Sequence, residues 1–352
     1  MWLDRWPAHG SDASPEEVIR TADVRPGLPP GPRPGLLSLR SRMALVSLLA
    51  LALLISTDGG LPRASPGVLA ICATVQIPSA GVTSGGPTSM VPAGGPDDDG
   101  PSLAGQLIQG SVRSAALERA LPYLVYLPPG YGGSDHHYPT LYMLHGINGS
   151  YETWAALGLV AAADALVVEG RIQPLILVMP EGDRGYWLNH ADGGPRWGDY
   201  LVGEVVRLVD SSYRTIPARE SRAIGGNSMG GHGALQTAMN HPDLFAVVGA
   251  HSPALRRYSE TFSFFGDADY FARHDPLTLA RTSEALARLT IWIDSGDEDP
   301  WRARAAELHD VLASRGIQHE WHVWPGRHDR TYWRAHVDDY LRFYAGALKR
   351  DG

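Results

Sequence analysis

Ser228 lies in Arg222-Ala-Ile-Gly-Gly-Asn-Ser-Met-Gly-Gly-His-Gly-Ala-Leu235, so its surroundings read Gly226-x-Ser228-x-Gly230. A β-rich run enters this segment and an Ala/Leu/Met helical pattern leaves it. That order describes a strand, a sharp turn and a helix, a turn that holds a serine at dihedral angles other residues avoid. A Cβ at either flanking glycine would meet the neighbouring strand or helix. The hydroxyl then stands at a helix N-terminus, where free N–H groups and the helix dipole favour negative charge. Such a residue is a candidate nucleophile.

A serine hydroxyl attacks poorly until a base takes its proton, and the base must itself be oriented. On a sheet with the chain order Ser, acid, His, the acid follows a late strand and the histidine follows the last one. After the run Leu289–Ile293 comes Asp294-Ser-Gly-Asp-Glu-Asp-Pro-Trp301, which offers Asp294, Asp297, Glu298 and Asp299. After His319–Trp324 comes Pro325-Gly-Arg-His328, so His328 is the expected base. Charge developing on an attacked carbonyl oxygen also needs two hydrogen-bond donors. One is expected from the backbone N–H of Met229. The other should come from Leu141-Tyr-Met-Leu-His-Gly-Ile-Asn-Gly-Ser150, where Gly146 permits a tight bend; Ile147 is assigned, with Asn148 as its substitute.

Other histidines have different expectations. His251 follows a strand end and is expected to line the pocket, whereas His145, before a glycine, is a positioning residue. His232 and His241 belong to the helix after Ser228 and suit packing or capping. His319 and His322 lie three apart in a strand, face opposite sides and cannot share a metal. No H-E-x-x-H or similar spacing occurs, so no metal and no cofactor are expected.

These residues need a scaffold. Short β-rich runs at Gln106–Val112, Leu121–Leu127, Thr140–Leu144, Leu175–Met179, Arg222–Gly225, Ala246–Ala250, Leu289–Ile293 and His319–Trp324 read as strands. Helical patterns run at Ala155–Glu169, Tyr200–Ser212, Gly230–Asn240, Arg302–Arg315 and Arg330–Leu348. Near-continuous apolar runs such as Leu175-Ile-Leu-Val-Met179 suit strands covered on both faces. The alternation predicts an α/β fold with a mostly parallel central sheet and helices on both faces. The first two strands, joined without a helix, form an antiparallel N-terminal edge.

The 352 residues divide unevenly. Residues 1–42 form a Pro-, Gly- and Arg-rich leader without apolar periodicity, expected to be disordered. Residues 43–56 are uncharged and apolar after Arg33, Arg40 and Arg42, and fourteen helical residues reach only ~21 Å of the ~30 Å hydrocarbon core. A basic flank before a short apolar stretch predicts export, to the medium or the cell surface, with an uncleaved anchor or a buried helix as alternatives. Leu69-Ala-Ile-Cys72 faintly resembles a lipoprotein box, with Ile71 where a small residue is expected. Residues 57–101 read as a flexible linker and 102–352 as the catalytic domain. The net charge of −8 gives no footprint for nucleic acid, and the single cysteine, Cys72, excludes an intrachain disulfide framework or zinc–thiolate cluster.

Four blocks in order, Tyr123-Leu-Val-Tyr-Leu-Pro-Pro-Gly-Tyr131, Leu141–Gly146, Arg222–Gly231 and Pro325–His328, resemble the esterase D family of α/β hydrolases. That family includes feruloyl and acetylxylan esterases, enterochelin esterases, S-formylglutathione hydrolases and mycolyltransferases. The resemblance spans about Leu103 to Lys349 and implies Ser228 as nucleophile and His328 as base. It also selects Asp299, three residues after the glycine of a D-x-G-x-x-D block, and leaves Asp294 to bond backbone and fix the loop. Asn227 departs from the family's usual Leu or Phe before the serine. The segment Gly185–Tyr200 resembles the family's variable substrate-facing insertion, in which Trp187, Trp197 and Tyr200 either stack on an aromatic or sugar group or cover an apolar patch. The implied activity is serine carboxylic-ester hydrolysis of small-molecule or polysaccharide-linked esters. The alternatives are an acyltransferase of the mycolyltransferase type, a thioesterase like the S-formylglutathione hydrolases, and a non-catalytic binding protein on the same fold.

Overall fold

A computed structural model describes residues 102–350. The leader, the apolar segment 43–56, the linker and Cys72 lie outside the described residues. Eight strands form one sheet: β1 (Gln106–Ser114), β2 (Arg119–Leu127), β3 (Thr140–Leu144), β4 (Ile176–Pro180), β5 (Arg222–Asn227), β6 (Val247–His251), β7 (Thr290–Gly296) and β8 (Glu320–Trp324). Their spatial order is β1-β2-β4-β3-β5-β6-β7-β8. The pairs β1/β2 and β2/β4 are antiparallel and every later pair is parallel, as the uninterrupted hairpin at the start of the domain leads one to expect.

Burial on both faces explains the apolar strands. Along β3, Tyr142 and Leu144 enter one core while Leu141 and Met143 enter the other. In β4, Ile176 and Val178 alternate with Leu177 and Met179 in the same way. Period-two alternation thus feeds two cores at once, and each such side chain contributes about 1.5–3 kcal/mol by leaving water. One layer holds α3 (Trp197–Asp199), α4 (Val206–Ser212), α5 (Met229–Asn240), α6 (Ala268–His274), α7 (Pro276–Thr282) and α8 (Arg302–Ser314); the other holds α1 (Thr153–Ala156), α2 (Leu159–Val168), α9 (Arg330–Ala335) and α10 (Val337–Ala347).

Three helices depart from expectation. The stretch from Ala155 is cut at Gly158, whose φ of 95° ends α1 before α2 begins. The C-terminal stretch breaks at His336, whose ring stacks on Trp324 with centroids 4.0 Å apart. Tyr200–Val205 is a π-helical segment ahead of α4. Helices α6 and α7 lie outside the helical patterns expected from the sequence, although Asp267 and Asp275 cap them by accepting the Tyr270 and Thr278 N–H groups and Pro276 opens α7.

Candidate active site

Strand β5 delivers Ser228 to the carboxyl edge of the sheet, in a turn with φ 55° and ψ −118°. A non-glycine residue at such angles is strained and persists only when its surroundings hold it. They do so here. The Ser228 N–H donates to the His251 carbonyl at 3.0 Å, and the Ser228 carbonyl accepts from the Ala254 and His232 N–H groups. A Cβ on Gly226 would lie 2.5 Å from the Leu144 carbonyl oxygen, and one on Gly230 would lie 2.2 Å from the same atom. The turn therefore requires both glycines of the Gly-x-Ser-x-Gly pattern.

Loops after β7 and β8 bring the other two groups to Ser228. The Ser228 hydroxyl lies 2.8 Å from His328 Nε2, and His328 Nδ1 lies 2.8 Å from Asp299 Oδ2. A carboxylate only accepts, so Nδ1 carries the imidazole proton and Nε2 faces the hydroxyl as acceptor. The Asp299 side chain is fully buried and that of His328 is 20% exposed. Asp299 Oδ1 accepts the Trp301 N–H at 2.7 Å, which fixes the carboxylate plane. The Trp333 ring meets the imidazole edge-on at 5.1 Å.

The four carboxylates of the β7 loop have separate partners. Asp294 was expected to bond backbone and fix the loop; instead its side chain is fully buried and bonds side chains. Its oxygens accept from His251 Nδ1–H, Trp292 Nε1–H and the Tyr332 and Tyr340 hydroxyls, at 2.7 to 3.2 Å. Asp297 carries the loop-fixing bond, accepting the Gly326 N–H at 2.9 Å across to the histidine loop. Glu298 forms an exposed ion pair with Arg327.

The second expected donor loop also lies against the serine. A Cβ on Gly146 would be 3.3 Å from both Ser228 Cβ and Asn227 Nδ2, so Ile147 follows directly on a point of contact with the turn. The Gly149 N–H to Gly146 carbonyl bond closes a tight bend around Ile147. Met229 is the first residue of α5, where N–H groups have no partner within the helix.

His145 holds this loop, as its position suggests. Its Nδ1 donates to the Gly146 carbonyl at 2.8 Å and its Nε2 accepts the Gly182 N–H at 2.9 Å. Glu181, which the sequence reading did not single out, lies 3.3 Å from the same Nε2. Burial alone would raise its carboxyl, but the Asp183 and Tyr151 N–H groups donate to it and hold it below the usual glutamate range. Its place at the carboxyl end of β4 is the signal that the sequence carried.

The expected substrate-binding residues require correction. His251 does not line a pocket: it is fully buried, bonded to Asp294 and the Tyr344 hydroxyl and stacked 3.6 Å from the Tyr340 ring. Trp187, Trp197 and Tyr200 are 0–2% exposed and cover the core rather than offer a stacking face. Their large apolar area favours burial once the insertion folds back on α5. His232 packs in the core and His241 caps α5, while His319 bonds His309 and His322 stacks on Trp292, each within its expected role or separation. Among the described residues no three His, Cys, Asp or Glu side chains converge as metal ligands. A cleft of about 600 Å³ lies at the far end of α5, lined by Thr237, Asn240, His241 and Arg273, and does not include Ser228, Asp299 or His328.

The sheet order, the strained serine at the β5–α5 turn and the loops after β7 and β8 together define an α/β-hydrolase fold. The "Esterase" family model matches residues 114–344, and the chain belongs to that family. Esterase Rv1288 of Mycobacterium tuberculosis is 30% identical over 242 residues, 58% of this chain and 51% of the relative, so the chain spans about half the length of this curated relative. A ferulic acid esterase structure superposes with a TM-score of 0.64 at 24% identity, covering 69% of this chain and 99% of that one. An S-formylglutathione hydrolase from Agrobacterium tumefaciens gives 0.62 at 20% identity, covering 71% and 98%. Among the described residues no helix is long and apolar enough to cross a membrane.

Proposed function

We propose that the protein is a serine carboxylic-ester hydrolase working through an acyl-enzyme. The observation that carries this reading is the unbroken relay from the Ser228 hydroxyl through His328 to Asp299, with both links at 2.8 Å. Ser228 attacks the ester carbonyl while His328 Nε2 takes its proton. Buried Asp299 holds the imidazole in the required tautomer and stabilises its cation. The N–H groups of Met229 and Ile147 receive the oxyanion. His328 then protonates the leaving alcohol, activates water, and returns the proton to Ser228 as the acyl group leaves. Membership in the esterase family supports this chemistry.

The test is turnover of 4-nitrophenyl acetate by the purified protein and by Ser228→Ala. Loss of a triad nucleophile costs about 10⁶ in kcat, so the variant should be inactive with an unchanged circular dichroism spectrum. It should also escape labelling by a fluorophosphonate probe that labels the parent. Retained turnover in Ser228→Ala refutes the assignment. The basic flank and apolar run at residues 43–56 support export of the enzyme toward extracellular esters, with residues 102–352 as its catalytic unit.

A further inference from the structure

The five residues after β6 lead from the serine turn to a cation, Arg256. Ser252, Pro253, Ala254 and Leu255 are buried, and the Ala254 N–H is bonded to the Ser228 carbonyl itself. Two residues later Arg256 turns its guanidinium into a cluster of rings. Its carbon lies 4.4 Å from the Phe262 centroid, 5.4 Å from Trp301 and 5.6 Å from Tyr186. Trp301 is the residue whose N–H holds Asp299. Tyr186 packs 5.2 Å from His232, in the first turns of α5. Arg256 is therefore bracketed by neighbours of the acid and of the serine.

Its hydrogen bonds leave most of the fork unused. Nε donates to the Tyr186 hydroxyl at 2.7 Å and Nη1 to the Glu260 carbonyl at 3.1 Å. Both acceptors are neutral, and Glu260 presents its backbone rather than its carboxylate. Among the described residues no carboxylate pairs with Arg256, although Arg304, four residues from Trp301's neighbour Pro300, pairs with Glu307. A half-buried guanidinium held by two bonds and three rings is already oriented, and the N–H bonds left free on Nη1 and Nη2 can meet the oxygens of a carboxylate or phosphate. The ring beneath it continues outward as a stack, Phe262 on Phe264 at 5.1 Å and Phe264 on His190 at 4.1 Å. The Tyr186 ring is buried and packs 5.2 Å from both His232 and Phe265, which fixes the hydroxyl on which Arg256 rests.

We propose that Arg256 selects esters that carry an anionic oxyacid group, a carboxylate foremost, and that it does so by pairing with that group while the ester carbonyl lies at Ser228. The proposal rests on the hydrolase reading above. Elementary electrostatics supports it: a half-buried cation without a carboxylate partner, flanked by aromatic rings, gains more from an anionic ligand than a solvated surface arginine does.

Two substrate pairs test it in the purified protein. On the acyl side, mono-4-nitrophenyl succinate is compared with 4-nitrophenyl butyrate. On the alcohol side, 4-carboxyphenyl acetate is compared with 4-carbamoylphenyl acetate. At low salt kcat/KM for the anionic member should exceed that of its neutral partner by about tenfold in at least one pair, and 0.5 M NaCl should shrink this ratio. Arg256→Gln should bring the ratio to about one or below, and Arg256→Lys should keep part of it. A parent ratio of one or less in both pairs overturns the proposal. So does an equal loss on anionic and neutral esters in Arg256→Gln, which would make Arg256 a clamp on Tyr186 and nothing more. Turnover that survives Ser228→Ala would instead overturn the underlying hydrolase reading, so the two failures are separable.

Discussion

Asp299→Asn changes one oxygen to an amide without changing shape, and the structure dictates how the new group must sit. Asp299 Oδ1 accepts the Trp301 N–H at 2.7 Å, so the amide oxygen stays there. The NH₂ group then occupies the Oδ2 position, 2.8 Å from His328 Nδ1, and donates to it. Nδ1 becomes an acceptor, the ring proton moves to Nε2, and Nε2 faces the Ser228 hydroxyl with nothing to accept its proton. A wrong-tautomer histidine of this kind lowers kcat by about 10⁴, equivalent to about 5 kcal/mol of transition-state stabilisation, with little change in KM. The assay is initial-rate hydrolysis of 4-nitrophenyl acetate, with Tm measured alongside. Asp294→Asn supplies the contrast. Asp294 Oδ2 accepts from His251 and Trp292 and Oδ1 from the Tyr332 and Tyr340 hydroxyls, so an amide would turn its NH₂ to the tyrosines, whose hydroxyls must then accept and give up their own acceptor in a fully buried site. That variant should lose about 1–3 kcal/mol of stability, visible in Tm. If Asp299→Asn kept more than about a tenth of parental kcat, the tautomer argument built on Asp299 would be wrong.

Gly226→Ala places a Cβ 2.5 Å from the Leu144 carbonyl oxygen and 2.6 Å from the Gly230 carbonyl carbon, contacts with backbone that no side-chain rotation relieves. It should cost about 3 kcal/mol or more and lower Tm by about 6–12 °C, and an unchanged Tm would contradict the turn geometry. Backbone N–H groups hold the Glu181 carboxyl below the 4.5 of an unstructured glutamate, so its stabilisation is complete above pH 4.5 and is lost as the pH falls below that. After allowance for solvent screening, Glu181→Gln should lose on the order of 1–2 kcal/mol at pH 7. By the same linkage the deficit should shrink at pH 3. Urea melts at the two pH values measure this, and a deficit that does not change with pH would remove the charge from the explanation.

The strands were legible because both faces of the sheet are covered, so that apolar residues run without interruption through Thr140–Leu144 and Ile176–Pro180. Gly226-x-Ser228-x-Gly230 was legible because a backbone constraint leaves its mark in the residues nearest to it. The order of Ser228, the β7-loop acids and His328 was readable for a related reason, since the end of each strand fixes which loop faces the site. Helix breaks at Gly158 and His336 were harder, because the second depends on Trp324, a ring twelve residues upstream on another element.

Sequence alone thus determined the alternation of strands and helices, the strained serine turn and the two late loops from which acid and base would come. Residue type and position left four carboxylates open and only the family resemblance singled out Asp299, while what the other three do was decided only in three dimensions. Asp294 and Asp299 are chemically identical and five residues apart, yet one points down among tyrosines and the other out to His328. The same holds for His251, Trp187, Trp197 and Tyr200, whose composition fits either a binding face or a core. For an aromatic or titratable side chain, residue type sets what it can bond, but the elements packed around it set what it does bond.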